Sequence, residues 1–221
     1  MYCKFKRIDK GEVLATMFVA VNIIIPVLKI LDVVGHDDSL FVVMSRIPRT
    51  PASLSFRHLD ASGLALFEAD LRNWLFQLRS LCPPFPVVSG YLGGPCWQYR
   101  VSADNPIGPF ASIDALHQFL LSRVWGDERD EVLSLSRKSY VKPHRICLTH
   151  GELRRANLLL SNGRLSGLID WGAAGWFPEY WDAVGGCYIA MGRHPLVPQY
   201  QDELEVENAI WSVRSAHPQN G

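Results

Sequence analysis

The sequence predicts an α+β protein in two unequal parts, a small unit over residues 1–47 and a larger, mainly helical one over residues 48–221. Three observations carry this reading. Short β-branched runs flank a turn near Gly35 and follow a single helix. A connector rich in proline, Arg46-Ile47-Pro48-Arg49-Thr50-Pro51, comes next and denies a continuous helix or a central strand. Beyond it, apolar residues recur at steps of three and four, the period of a helix lying on a core.

In the small unit, residues 2–6 alternate apolar and basic positions and read as a short strand. Residues 11–22 read as a helix begun by Asp9 or Gly11, with Glu12 in the first turn where the helix dipole favours a negative charge. Residues 23–31 are β-branched and read as extended. Gly35-His36-Asp37-Asp38-Ser39 turns the chain into a buried strand over residues 40–44. In the large unit, Leu64, Phe67, Leu71, Trp74, Leu75, Leu78 and Leu81 mark an amphipathic helix that Cys82-Pro83-Pro84 stops. Residues 83–110 are rich in glycine and proline and read as a long ordered loop or a lid. Helices follow over residues 112–124, capped by Ser112 or Asp114, and over residues 127–136, with a last one over residues 200–215.

Composition narrows the function. The chain carries 22 basic and 22 acidic residues, so no global field points to nucleic acid, and a small-molecule partner fits better. Five scattered cysteines form no C-x-x-C pair, so neither a zinc site nor a redox dithiol is signalled and reduced thiols are expected. The apolar run from Val13 to Ile30 is broken by Asn22, Pro26 and Lys29, too interrupted for a membrane span. No basic stretch with a small-residue cleavage site precedes it, and a cytoplasmic location is the expectation.

The chemistry concentrates in one segment. An apolar strand over residues 146–149 leads into His150-Gly151-Glu152-Leu153-Arg154-Arg155-Ala156-Asn157. Then Leu158-Leu159-Leu160 and Leu165-Ser166-Gly167-Leu168-Ile169 flank Asn162-Gly163, a strong two-residue hairpin signal. Asp170 follows the second strand, so a hairpin here brings Asn157 and Asp170 together. Both are oxygen donors of the kind magnesium accepts. The layout is that of a kinase catalytic loop, H-R-D-x-x-x-x-N, with its later metal-binding Asp. Glu152 is the carboxylate inside the loop and the candidate base. His150 reads as a brace within the loop.

These residues resemble the aminoglycoside phosphotransferase-like superfamily, whose loop runs H-G-D-L-H-x-x-N and whose metal-binding motif, I-D-W, is matched by Ile169-Asp170-Trp171. The run Ala174-Gly175-Trp176-Phe177-Pro178-Glu179-Tyr180-Trp181 is similar to a signature of its fungal branch, as are Gly93-Gly94-Pro95-Cys96, Gly108-Pro109-Phe110, Ile25-Pro26-Val27 and residues 43–48. The resemblance implies a two-lobed protein-kinase-like fold and transfer of phosphate from ATP, with Mg2+, to a small-molecule hydroxyl. It implies that Lys4 contacts the ATP phosphates, that Glu12 pairs with Lys4, and that Met44 and Arg46 lie in a hinge offering backbone groups to adenine. By themselves Lys4 reads equally as a solvated strand lysine and Glu12 as a partner of the helix dipole. For Trp176, Phe177, Tyr180 and Trp181 a structural brace is favoured over a substrate wall. Glu179 among them calls for an arginine of the large lobe.

Two departures from the family bear on activity. The family has two strands and a phosphate-covering loop before the strand lysine, and this sequence has only Met1-Tyr2-Cys3 there. The expectation is a truncated small lobe with a raw sheet edge. Glu152 stands where the family has Asp. One added methylene moves the carboxylate by about 1 Å, which can cost about a hundredfold in rate. Arg154, where the family has His, is placed to hold that carboxylate. The alternative reading is a kinase-like binding or scaffold protein without catalysis, a pseudoenzyme or a truncated gene product.

Overall fold

A computed structural model describes residues 2–4, 9–36, 39–47, 50–102, 104–186 and 198–216. Strand β1 (Tyr2–Lys4), helix α1 (Lys10–Asn22) and strands β2 (Ile30–His36) and β3 (Ser39–Met44) form the first part. The sheet is antiparallel with order β1-β3-β2, and Lys4 stands opposite Val42. The expected strand residues Phe5 and Lys6 and the turn residues Asp37 and Asp38 lie outside the described residues. Asp9, not Gly11, caps α1, accepting the Gly11 N–H at 3.2 Å.

Helix α1 belongs to two cores at once. Val13 joins Val42 and Met44 in a small apolar cluster under the sheet, with Leu28 and Ile30 packed against it. Ala15 and Val19, on another side of the helix, are buried in the main core of the molecule. The extended run expected over residues 23–31 is a strand only from Ile30 onward. Residues 23–29 find no strand partner, because their polar backbone groups are used one by one by other elements. Ile24 N–H donates to the Gln77 side chain at 3.0 Å, and Pro26 C=O accepts from Leu168 N–H at 2.9 Å. Lys29 exchanges hydrogen bonds with Ser45. A β-branched run with Pro26 inside it is thus a strap between the two parts.

The second part holds two further three-stranded sheets. Thr50–Pro51 (β4) pairs with β7 (Leu158–Ser161), which pairs with β8 (Arg164–Leu168). The connector therefore supplies a two-residue edge strand, a sheet position that proline tolerates. Ser89–Gly90 (β5), Ile146–Thr149 (β6) and Gly175–Pro178 (β9) form the other sheet, with β9 in the centre. Around them pack α2 (Ala52–Ser55), α3 (Ala61–Arg79), α4 (Ile113–Ser122), α5 (Arg129–Ser139), α6 (Trp181–Gly186) and α7 (Gln201–Ala216). Ser112, rather than Asp114, caps α4. Helix α3 buries Phe67, Leu71, Trp74, Leu75 and Leu78, the stripe its periodicity marks, while Leu64 and Leu81 stay partly open. The loop over residues 83–110 is pinned rather than lid-like: β5 pairs with β9, and bridges join Val88 to Phe110 and Cys96 to Ile107.

The β7–β8 hairpin turns at Asn162 (φ 51°) and Gly163 (φ 74°), the left-handed pair that a two-residue turn requires. Its tip is docked by Arg164, whose guanidinium donates to both oxygens of Asp70 on α3, and Leu165 N–H adds a third bond at 3.1 Å. The Arg164 hydrogen bond holds the Asp70 carboxyl below its usual range. Among the described residues no helix is long and apolar enough to cross a membrane. Cys82, Cys96 and Cys147 are free thiols, and burial pushes Cys96 up to about 11 and Cys147 up to about 12.

A polar knot lies inside the second part. His117 Nε2 is 2.7 Å from the Tyr180 hydroxyl, and its ring stacks on Tyr140 at 3.6 Å. Burial, with the nearby His144 adding to it, depresses His117 from 6.5 to about 4. Folding thus keeps this ring neutral, while the unfolded chain takes up its proton below about pH 6.5. The stabilisation is complete above that value and is lost as pH falls toward 4. We expect about 2 kcal/mol of stability to disappear between about pH 7 and pH 5 from this group. Urea unfolding of the parent and of His117→Gln at both pH values checks this: the variant should show a distinctly shallower loss.

Candidate active site

Strand β6 delivers the chain into a loop that is held mostly by its backbone. The His150 N–H donates to Asp182 Oδ2 at 2.6 Å and the Gly151 N–H to Asp182 Oδ1 at 2.9 Å. One carboxylate, itself 4% exposed, therefore fixes two consecutive N–H groups of the loop. Gly151 adopts φ 80° and lies so close to Ala173 C=O that a Cβ at Gly151 would overlap that oxygen. It would also come within 2.7 Å of the Gln98 side chain. Glycine is thus required here on two grounds.

His150 is fully buried. Its Nδ1 accepts from the Glu152 N–H at 3.3 Å, and its Nε2 lies 3.0 Å from Ile169 C=O. Those partners fit the neutral ring with its proton on Nε2, and burial lowers its pKa in the same sense. The ring meets Trp171 edge-on at 4.7 Å. His150 lines neither cavity described below and ties the loop to the segment that carries Asp170.

Asn157 donates its side-chain N–H to Glu152 C=O at 2.9 Å and faces Glu152 Oε2 at 3.5 Å. Arg154 Nη2 lies 3.3 Å from Glu152 Oε1. The longer carboxylate is thereby fixed from two sides. Asn157 C=O accepts from Ile169 N–H at 3.0 Å, so the hairpin closes at its base between Asn157 and the residue before Asp170. Asp170 has φ 70° and ψ 71°, a left-handed conformation for a residue with a side chain, which tertiary contacts must hold. A Cβ at Gly172 would meet Glu12 Oε2 at 3.5 Å and Asp170 Oδ1 at 3.8 Å. The α1 carboxylate and Asp170 therefore converge on the same glycine.

Two cavities lie against this loop and the turn after it. One, of about 200 Å³, is lined by Glu12, Asp170 and the apolar side chains of the small sheet, Met44 among them. The other, of about 190 Å³, is lined by Glu152, Arg154, Tyr99 and Trp211, among others. Arg46 is exposed and lines neither. The side chain of Lys4, and with it the expected pairing to Glu12, lies outside the described residues.

Asp182, Gln98 and Tyr99 are among the site residues that escaped the sequence reading. Asp182 had a faint signal, a carboxylate directly after a buried aromatic run, which calls for a partner. Gln98 had none. It is fully buried, donates to Ala173 C=O at 2.9 Å and accepts from Trp181 Nε1 at 2.9 Å. Tyr99 sits in the loop read as a possible lid. Trp176, Phe177, Tyr180 and Trp181 are all buried, as a brace would be, and only Trp181 also reaches the second cavity. Glu179 has its arginine: Arg145 Nη2 lies 3.1 Å from Glu179 Oε2.

A small sheet with one helix, joined to a larger helical part with an asparagine-bearing loop and a left-handed aspartate after a hairpin, defines a kinase-like fold. Within that class, the sequence profile of the phosphotransferase enzyme family (APH) matches residues 14–216, and the chain belongs to that family. A search of curated proteins finds no match. Among solved structures the chain is similar to the ADP-bound aminoglycoside phosphotransferase APH(2'')-Ib at 15% identity, covering 96% of this chain and 76% of that one with a TM-score of 0.56. It is also similar to a mutant of aminoglycoside 2'-phosphotransferase-IIIa in complex with GDP, at 16% identity, 90% and 67% coverage and a TM-score of 0.60. A third is the gentamicin complex of APH(2'')-IIa, at 17% identity, 91% and 68% coverage and a TM-score of 0.53. At these identities the likeness is one of fold.

The clamp on the loop makes two expectations measurable by thermal unfolding. Gly151→Ala should cost at least about 3 kcal/mol, through overlap with Ala173 and the positive φ. Asp182→Asn should cost about 1–3 kcal/mol, because an amide NH2 then faces one of the two loop N–H groups.

Proposed function

We propose that the chain transfers the γ-phosphoryl group of ATP to a hydroxyl of a small molecule, with Glu152 as the base. The observation that carries this is that Glu152 of the loop borders one cavity while Asp170, whose neighbour Ile169 donates to Asn157 C=O at 3.0 Å, borders another. In this reading the cavity that Asp170 borders takes the phosphate donor and the cavity that Glu152 borders takes the hydroxyl acceptor. The residues also fit a magnesium ion. Among the described residues no group of three or more His, Cys, Asp or Glu side chains is placed to hold a metal. One carboxylate and one amide suit a cation that fills its remaining positions with phosphate oxygens and water. Asp170 and Asn157 would hold it, and when bound it supplies positive charge to the phosphates.

In this reading the first cavity takes the nucleotide, with Met44 and its neighbours against the base, the Met44–Ile47 backbone as hinge, and Lys4 with Glu12 toward the phosphates. Residues 1–47 act as the nucleotide lobe and residues 48–221 as the acceptor lobe. Arg154 and Asn157 fix the Glu152 carboxylate where the acceptor hydroxyl enters. That restraint offsets the extra methylene, since a loose transition state asks more of positioning than of basicity. His150 acts by holding the loop. The run from Ala174 to Trp181 supports a place in the fungal branch of the family.

A thermal-shift titration with ATP tests the nucleotide half of the proposal. Saturating ATP with Mg2+ should raise the melting temperature, and the shift should vanish in Asp170→Ala. No shift at millimolar ATP would leave the non-catalytic reading in its place. Glu152→Gln tests the other half: the nucleotide shift should persist while acceptor-dependent ADP release falls about 10²–10⁴-fold.

A further inference from the structure

Among the described residues, the two carboxylates that line the cavity on the Glu152 side already have partners. Both oxygens of Asp182 are engaged by the N–H groups of His150 and Gly151. Glu152 faces Arg154 at 3.3 Å on one oxygen and Asn157 at 3.5 Å on the other. The same wall carries a second guanidinium, Arg100, which lies 3.9 Å over the Trp181 ring and 2.9 Å from Glu207. An ammonium group entering here gives up its water and finds carboxylates already matched by N–H groups and guanidinium ions. It also meets Arg154, whose side chain is 45% exposed.

What the cavity does offer is aromatic surface. Tyr99 and Trp211 line it, while Trp181 on the same wall is 1% exposed beneath Arg100. Tyr99 is 52% exposed and is backed by Trp97, stacked at 6.0 Å with 15° between the rings, so it presents a stiff, half-open face. Burial raises the pKa of its hydroxyl, and the charges of Glu152 and Asp170 add to the rise. The volume, about 190 Å³, is small beside the ~300–1,000 Å³ of sites for drug-sized ligands. It suits a single ring system rather than a linked series of sugars.

We propose that the acceptor is a small, planar, uncharged aromatic alcohol or phenol, seated on Tyr99 with its hydroxyl at Glu152. This rests on the phosphotransfer reading above. In the reaction the acceptor oxygen bonds to the γ-phosphorus of the nucleoside triphosphate. The bond from that phosphorus to the β,γ-bridging oxygen breaks, the acceptor proton passes to Glu152, and the nucleoside diphosphate leaves. Tyr99 determines specificity by supplying the face on which the ring stacks.

The test is saturation-transfer NMR on the full chain without nucleotide, with tyrosol as the aromatic alcohol and gentamicin as the polycation. Tyrosol should bind, gentamicin should not displace it, and Tyr99→Ala should weaken tyrosol by about tenfold. Tyr99→Phe, which keeps the ring, should bind nearly as the parent does. Circular dichroism of Tyr99→Ala shows whether the fold is intact, and Trp211→Leu gives a second, independent loss of aromatic wall. No tyrosol binding, tyrosol binding indifferent to both Tyr99→Ala and Trp211→Leu, or displacement by gentamicin would overturn the proposal. Tyrosol binding at Tyr99 with no phosphate transferred would count against the phosphotransfer reading and leave the ligand class standing.

Discussion

The two hydrogen bonds that Asp182 accepts from His150 and Gly151 are the constraint on which the rest of the site depends. A loop that must present side chains outward cannot also be held by them, so its backbone has to be gripped from behind. A buried carboxylate facing two N–H groups does this with short, charge-assisted bonds. The grip draws Gly151 against Ala173, where only a glycine fits. Glu152, Arg154 and Asn157 are then left to face one another, with Glu152 and Arg154 on the wall of the second cavity.

The same economy recurs around the loop. His150 is spent on the Glu152 N–H and the Ile169 carbonyl, and Gln98 on Ala173 and Trp181. These buried polar side chains bind backbone groups and ring N–H groups that have left regular structure and would otherwise be unsatisfied. The left-handed conformation of Asp170 becomes tolerable because the segments before and after it are both fixed. Helix α1 completes the arrangement from the other side. It is anchored in the main core by Ala15 and Val19 and under the small sheet by Val13, so Glu12 is carried to Asp170 by a helix with two footholds.

Membership in the phosphotransferase family, with a fold shared at identities of 14–17%, shows how little of this scaffold is fixed by particular side chains. Glutamate in the loop is compatible with the scaffold because its neighbours restrain the longer side chain. Arg154 and Asn157 approach it from different sides, and each has a second tie to the Glu152 carbonyl, through the Arg154 N–H at 2.9 Å and the Asn157 side chain at 2.9 Å. An acid in that position is a property of the loop as a unit.

Local patterns were readable from the amino acids alone. Asn162-Gly163 dictates a hairpin because its left-handed turn needs those residues, and the turn in turn brings Asn157 and Asp170 to one end. The stripe on α3 and the Ser112 cap are equally local. The run 23–29 misled, since β-branched residues favour extended backbone wherever it goes, and only its partners decide between strand and strap. Gln98 and Tyr99 could not be placed at all, and Asp182 only faintly. Their roles come from contacts with residues distant in sequence, such as Gln98 with Ala173 and Trp181, for which no spacing rule exists. The sequence by itself determined the helices, the hairpin and the loop, because hydrogen bonds between near neighbours set them. Only the tertiary structure decided how the loop is held and what lines each cavity, because those depend on where separate segments come to rest against a common core.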